Sequence, residues 1–101
     1  MLEKLSVKEI NNYLASMDGW IKENDASAII KTFKFNSFDD AWRFMTKVTI
    51  KVCSMNHHPN WSNSYNKVVV ELSTHTIGGV TDLDIELANY MDLIAFHIKL
   101  A

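Results

Sequence analysis

The stretch Asn56-His57-His58-Pro59-Asn60-Trp61 divides the chain in two, and its reading decides the fold. Pro59 is the only proline in 101 residues. Proline fixes its own φ, has no backbone N–H, and pushes the residue before it towards extended geometry, so no helix runs through this hexapeptide. It reads as a rigid turn that sets two adjacent imidazoles near one point. Histidine titrates closest to neutrality of all side chains, which suits proton transfer in water. Two roles stay open for His57 and His58 at this point. Either one or both cap the preceding helix or sit in solvent, or they do acid–base chemistry.

Upstream of the turn, Ser37 and Asp40 form a helix-starting arrangement, and a long helix is predicted from about Phe38 to Met55. Phe38, Ala41, Trp42, Met45, Val48, Thr49, Val52 and Cys53 recur as an apolar stripe, with Phe44, Ile50 and Met55 off it. An apolar surface this wide predicts a second contact beyond the domain's own sheet. Cys53, on the stripe, reads as a packed small hydrophobe. The histidines then follow a helix C-terminus, where the macrodipole favours positive charge.

Further upstream, Ser6-Val7-Lys8-Glu9 is a capping box, and Ile10, Tyr13, Leu14 and Met17 extend a helix from about Val7 to Met17. Asp18-Gly19 stops it. Trp20 to Glu23 and Ala28 to Phe35 read as strands joined by the turn cluster Asn24-Asp25-Ala26-Ser27, an antiparallel hairpin. Lys31, Phe33 and Phe35 fall on one side of the second strand, and Ile30, Thr32 and Lys34 on the other.

Downstream, Trp61 to Tyr65 is a candidate strand and Asn66-Lys67 a candidate tight turn. Val68 to Thr74 is the clearest strand, with Val68, Val70 and Leu72 alternating with Val69, Glu71 and Ser73. His75 falls at or just past its end, before the loop Thr76-Ile77-Gly78-Gly79-Val80. Thr81 with Asp84 is another capping box. The last helix is predicted from about Asp82 to the C-terminus, burying Leu83, Leu87, Met91, Ile94, Ala95 and Ile98.

The order is α-β-β-α-β-β-α. The fold class is α+β: two layers, a four-stranded antiparallel sheet with three helices on one face, in a single domain over residues 1–101. Such a sheet keeps one face and at least one edge open, which predicts self-association.

Composition narrows the partners. A hydrophobic share of 48% with three glycines and one proline is that of a globular chain. The net charge of −2, with no two basic residues adjacent, argues against direct nucleic-acid binding. One cysteine permits no internal disulfide, which suits a reducing compartment. Neither a signal-peptide core nor a membrane-length apolar run is visible. The expectation is a cytoplasmic protein with no membrane partner.

Four groups lie near element ends: His57, His58, His75 and Asp84. Three imidazoles and a carboxylate outline an acid–base site, and no serine elbow, glycine-rich phosphate loop or nucleophile–base motif competes with it. Each group also has a plain structural reading. His75 can be an exposed strand-end residue, Asp84 can serve only the Thr81 cap, and Trp61 can belong to core or interface. His97 is given no role. Zinc is a third possibility, disfavoured because adjacent histidines turn poorly to one ion and the His-x(3–5)-His spacing is absent.

The assembled pattern is more specific. Asn56-His57-His58-Pro59-x-Trp61, then Tyr65-Asn66-Lys67-Val68, a strand ending Leu72-Ser73-Thr74-His75, and Gly78-Gly79-Val80-Thr81-x-x-Asp84 closely resemble the pterin-4a-carbinolamine dehydratase family. That family includes the dimerisation cofactor of a homeodomain transcription factor. The resemblance covers most of the chain from the second strand onward. It implies loss of water from 4a-hydroxytetrahydrobiopterin, or a related reduced pterin made by aromatic amino acid hydroxylases, to give the quinonoid dihydropterin. Histidines would move the protons with no metal and no cofactor. By motif position, His57 and His75 are similar to the acid–base pair, His58 to a pterin-binding and assisting residue, and Asp84 to the carboxylate that orients a histidine. Pro59 and Trp61 would line the pterin pocket. The family usually has a glutamate four residues before the first histidine; here that position is Cys53.

The resemblance also implies a homodimer or homotetramer. It admits a different role as well, a binding module that stabilises dimers of a partner such as a transcription factor. In that role Phe44 or Ile50 would matter more than the histidines.

Overall fold

The computed structural model describes residues 2–100. Its elements are α1 (Val7–Leu14), β1 (Ile21–Lys22), β2 (Ile29–Lys34), α2 (Phe38–Met55), β3 (Asn60–Ser64), β4 (Lys67–Leu72) and α3 (Asp82–Leu100). This is the α-β-β-α-β-β-α order and the α+β class read from the sequence. The four strands form one antiparallel sheet in the order β1-β2-β4-β3. The expected continuation of α3 to Ala101 falls on a residue outside those described.

The sheet's register decides its two faces. Ile29 pairs with Leu72 and Phe33 with Val68, so these side chains, with Val70, share the face beneath the helices. Ile10, Phe44, Val48, Val52, Leu87, Ala88 and Met91 meet them in one core. Three aromatic rings anchor it: Phe44 lies 4.7 Å from Phe33 and 5.1 Å from Phe35 between centroids. The opposite face carries Thr32, Lys34, Val69 and Ser62, all exposed.

Four expectations need correction. The first helix stops at Leu14 rather than Met17. There Ser16 and Met17 donate to carbonyls three residues back, at 3.2 and 3.1 Å, a tighter winding that ends the α-helix before Gly19. The β3–β4 turn is Tyr65-Asn66, one residue earlier than Asn66-Lys67. Tyr65 takes a φ of 51° and Lys67 already pairs with Ser64. On α2 the residue Phe44, set off the inward stripe by periodicity, is fully buried, while Trp42 is 56% exposed. Cys53 is exposed rather than packed.

One link joins elements far apart in sequence. Trp20 Nε1 donates to both carboxylate oxygens of Asp92, at 3.1 and 3.0 Å. Lys31 Nζ reaches Asp92 Oδ1 at 2.8 Å and the Asp18 carbonyl at 2.7 Å. The α1–β1 loop, strand β2 and α3 are thereby tied together.

Candidate active site

The end of α2 presents the first histidine. Asn56 adopts the left-handed conformation, φ 50° and ψ 44°, which a short amide side chain tolerates better than most residues do. The Asn56 N–H donates to the Cys53 carbonyl and the His57 N–H to the Val52 carbonyl, both at 3.2 Å. This paired closure satisfies the last carbonyls of α2 and turns the chain back across its end. The backbone of His57 is therefore part of the cap, while its side chain is free for other work. Pro59 then leads into β3.

The side chain of His57 is 8% exposed, and its Nε2 lies 2.6 Å from Asp84 Oδ1. Asp84 is fully buried at the start of α3, where the helix dipole favours negative charge. Its second oxygen, Oδ2, accepts from the Thr81 N–H and the Thr74 hydroxyl, each at 2.9 Å. Thr74 has one hydroxyl proton and spends it on Asp84. The Thr74–Thr81 hydroxyl contact of 2.8 Å therefore runs from Thr81 to Thr74. The Leu83 N–H closes the chain by donating to Thr81 Oγ1 at 3.3 Å.

The Thr81 N–H and the Thr74 hydroxyl both donate to Oδ2, and a carboxylate oxygen accepts, so Oδ1 takes the Nε2–H of His57. In neutral His57 this assigns the free lone pair to Nδ1. Among the described residues Nδ1 has no hydrogen-bond partner, and no sealed side-chain nitrogen or oxygen is left unbonded. Nδ1 thus remains open to the cleft that His57 lines.

That cleft has a volume of about 500 Å³, and its wall includes His57, His58, Pro59, Ser73 and His75. His58 and His75 are exposed, the latter in the turn that the isolated Thr74–Gly79 bridge closes. Three histidines from two loops therefore share one cavity. Among the described residues no group of three or more His, Cys, Asp or Glu side chains could hold a metal ion. Trp61 lies half-buried against the core and is not part of the cleft wall; it sits one residue into β3, behind Pro59 and Asn60. Cys53, on the last turn of α2, is not in the wall either.

Asp84 fills both roles left open for it. One oxygen closes the Thr81 cap and the other holds His57. Thr74 was missed as a site residue, although a signal existed. Val68, Val70 and Leu72 point inward on β4, and Thr74 is the next position in that alternation. A polar residue there, 5% exposed, has to find a buried partner.

The profile of the pterin 4 alpha carbinolamine dehydratase family matches residues 3–94 of this chain. The chain belongs to the pterin-4a-carbinolamine dehydratase family. A Rhizobium meliloti protein with that activity as its provisional name is 46% identical over 93 residues, 92% of this chain and 89% of the relative. A Burkholderia pseudomallei protein, also provisionally named a pterin-4-alpha-carbinolamine dehydratase, is 43% identical over the full length of both chains. Among solved structures, one described as the transcriptional coactivator/pterin dehydratase from Brucella melitensis superposes with a TM-score of 0.89. It is 42% identical and the match covers 92% of this chain and 99% of that one. A pterin dehydratase-like protein described as a RuBisCO assembly factor in the alpha-carboxysome reaches a TM-score of 0.66 at 20% identity, over 78% of this chain and 92% of its own, and shares the fold. Among the described residues of this dehydratase family member, no helix is long and apolar enough to cross a membrane.

Proposed function

We propose that the chain removes water from 4a-hydroxytetrahydrobiopterin or a closely related reduced pterin, giving the quinonoid dihydropterin, and so supports tetrahydrobiopterin recycling. The supporting observation is a cavity that three histidines share, one of them wired to a buried carboxylate. In the reaction the C4a–O bond breaks, and the electron pair of the N5–H bond becomes the second bond of C4a=N5. The hydroxyl leaves as water with one added proton, while N5 gives one up. The C4a–O pair departs with the oxygen and the N5–H pair replaces it, so the step is redox-neutral and proton donors and acceptors suffice.

His57 is the base in this reading. Its Nε2–H is committed to Asp84, which leaves Nδ1 to take the N5 proton, and Asp84 then stabilises the imidazolium that forms. His75 supplies the proton to the departing hydroxyl from the other loop. His58 and Pro59 hold the bicyclic ring, and Trp61 braces the start of β3 behind them. The test is direct: carbinolamine loss is followed by absorbance with and without the protein, and acceleration above the spontaneous rate is expected. An unchanged rate at micromolar protein contradicts the proposal.

A second reading has one specific observation in its favour. Phe38, Trp42 and Ile50 stand exposed on α2, at 42%, 56% and 70%, with the first two rings stacked 6.0 Å apart. An apolar helix face of this kind fits a protein contact, whether a second copy of this chain in a homodimer or homotetramer or a transcription-factor partner. Phe44 cannot belong to that face, because it is buried in the core.

A further inference from the structure

A second cavity, of about 310 Å³, lies in the seam between α2 and α3. Its wall is Arg43 and Lys47 from α2 and Ile94, His97 and Ile98 from α3. The two helices run antiparallel, since Lys51 meets Glu86 at one end of the seam and Arg43 shares the cavity with Ile98 at the other. Two cations along this seam have counter-charges. Lys51 Nζ pairs with Glu86 at 3.0 Å and packs over Tyr90, and Arg43 pairs with Asp40 at 3.1 Å.

Lys47 and His97 differ. Neither makes an ion pair among the described residues, and the α3 side chains that share the cavity with Lys47 are isoleucines and a histidine. The seam thus sets half-buried Ile94 and buried Ile98 beneath a cluster of basic groups, in a chain whose net charge is −2. Concave sites of this size, mostly apolar with a few convergent polar groups, are the ordinary form of small-molecule sites.

We propose that this seam is a binding site for a small organic anion, one carboxylate on a compact apolar body. The carboxylate meets Lys47 and His97, with the Arg43 guanidinium able to swing from the exposed Asp40 pair to join them. The apolar body rests on Ile94 and Ile98. Nothing in this proposal depends on the histidine cleft or on the dehydration reaction.

The experiment is an NMR titration of the intact protein with naphthoate, in parallel with neutral naphthamide and with inorganic phosphate. Saturable shifts centred on Lys47, Ile94 and His97 are expected with naphthoate. Naphthamide and phosphate, each lacking half of the chemistry, should bind far more weakly. Lys47→Gln should weaken naphthoate binding by about fivefold, the scale of one partly exposed ion pair, and Lys47→Gln with His97→Gln more. Both residues are exposed, so the variants should keep the wild-type spectrum away from the seam. The proposal fails if naphthoate binds with unchanged affinity to the double variant, if naphthamide binds equally well, or if phosphate alone matches it. Shifts confined to residues 56–60 and 73–76, or no saturable shift, also overturn it.

Discussion

His57 Nε2 and Asp84 Oδ1 lie 2.6 Å apart, joining the turn after α2 to the first turn of α3 across 27 residues of sequence. The carboxylate is buried, and its other oxygen is fixed by Thr74 and Thr81. This one contact commits Nε2 of His57 and leaves Nδ1 as its other ring nitrogen. Asp84→Asn keeps the shape but turns a donor amide or an uncharged oxygen towards His57. The imidazole then loses both its orientation and the charge that stabilises its protonated form. The expected result is a fall in kcat on the order of a hundredfold, with the far-ultraviolet circular dichroism unchanged, measured by carbinolamine turnover.

Thr74 lines the cleft and donates to Asp84. Thr74→Val preserves volume but removes the donor to Asp84 Oδ2 and the acceptor for the Thr81 hydroxyl. Stability should fall by about 1–3 kcal/mol in urea titration, and the pH–rate profile should move because the carboxylate beside His57 is less restrained. Thr74→Ser, which keeps the hydroxyl, should restore the profile. A purely structural role for Thr74 predicts lost stability with an unmoved profile.

Phe44 and Ile50 separate core from partner surface. Phe44→Ala removes a fully buried ring from contact with Phe33 and Phe35, and should cost about 3–5 kcal/mol. Ile50→Ala, at a site 70% exposed, should change monomer stability by no more than about 0.5 kcal/mol. If α2 is a contact between copies, Trp42→Glu and Ile50→Glu should shift the sedimentation coefficient towards monomer without altering the secondary structure.

The N-terminus of α1 carries a small pH dependence. The Ser6 backbone N–H donates to Glu9 at 2.9 Å and the Glu9 N–H donates to Ser6 Oγ at 3.1 Å. The bond from the Ser6 backbone, followed by that from its side chain, lowers the Glu9 pKa from its ordinary 4.5. A carboxylate lowered in the folded state stabilises it fully above the unfolded value, and that contribution is lost as pH falls through the native one. Fraying of α1 below about pH 4.5 is therefore expected, read by hydrogen exchange at Ile10 and Asn11. Glu9→Gln should flatten that dependence.

Much of this was legible in the sequence for physical reasons that differ by element. Both ends of α2 matched because each is marked by local chemistry, a serine cap at Ser37 and a His-His-Pro turn that no helix survives. The alternation of Val68, Val70 and Leu72 fixed the inner face of the sheet. The placement of Phe44 was not legible. Periodicity shows that α2 has apolar stripes, but only packing against Phe33 and Phe35 decides which one turns inward. The partner of Thr74 and the bond from Trp20 to Asp92 were hidden for another reason: they pair residues 10 and 72 positions apart, and no local rule reports such partners. The burial of Phe44 also shows that an apolar position off the main stripe need not be a surface for partners.

The proposed exchange of protons by His57 and His75 with one substrate in the cleft they both line is open to a direct test. The most direct measurement is the single-turnover rate of carbinolamine dehydration in wild type, His57→Ala and His75→Ala, with folding checked by near-ultraviolet circular dichroism. The account predicts that each variant stays folded and loses on the order of a hundredfold in rate. Wild-type rates in either folded variant would contradict it.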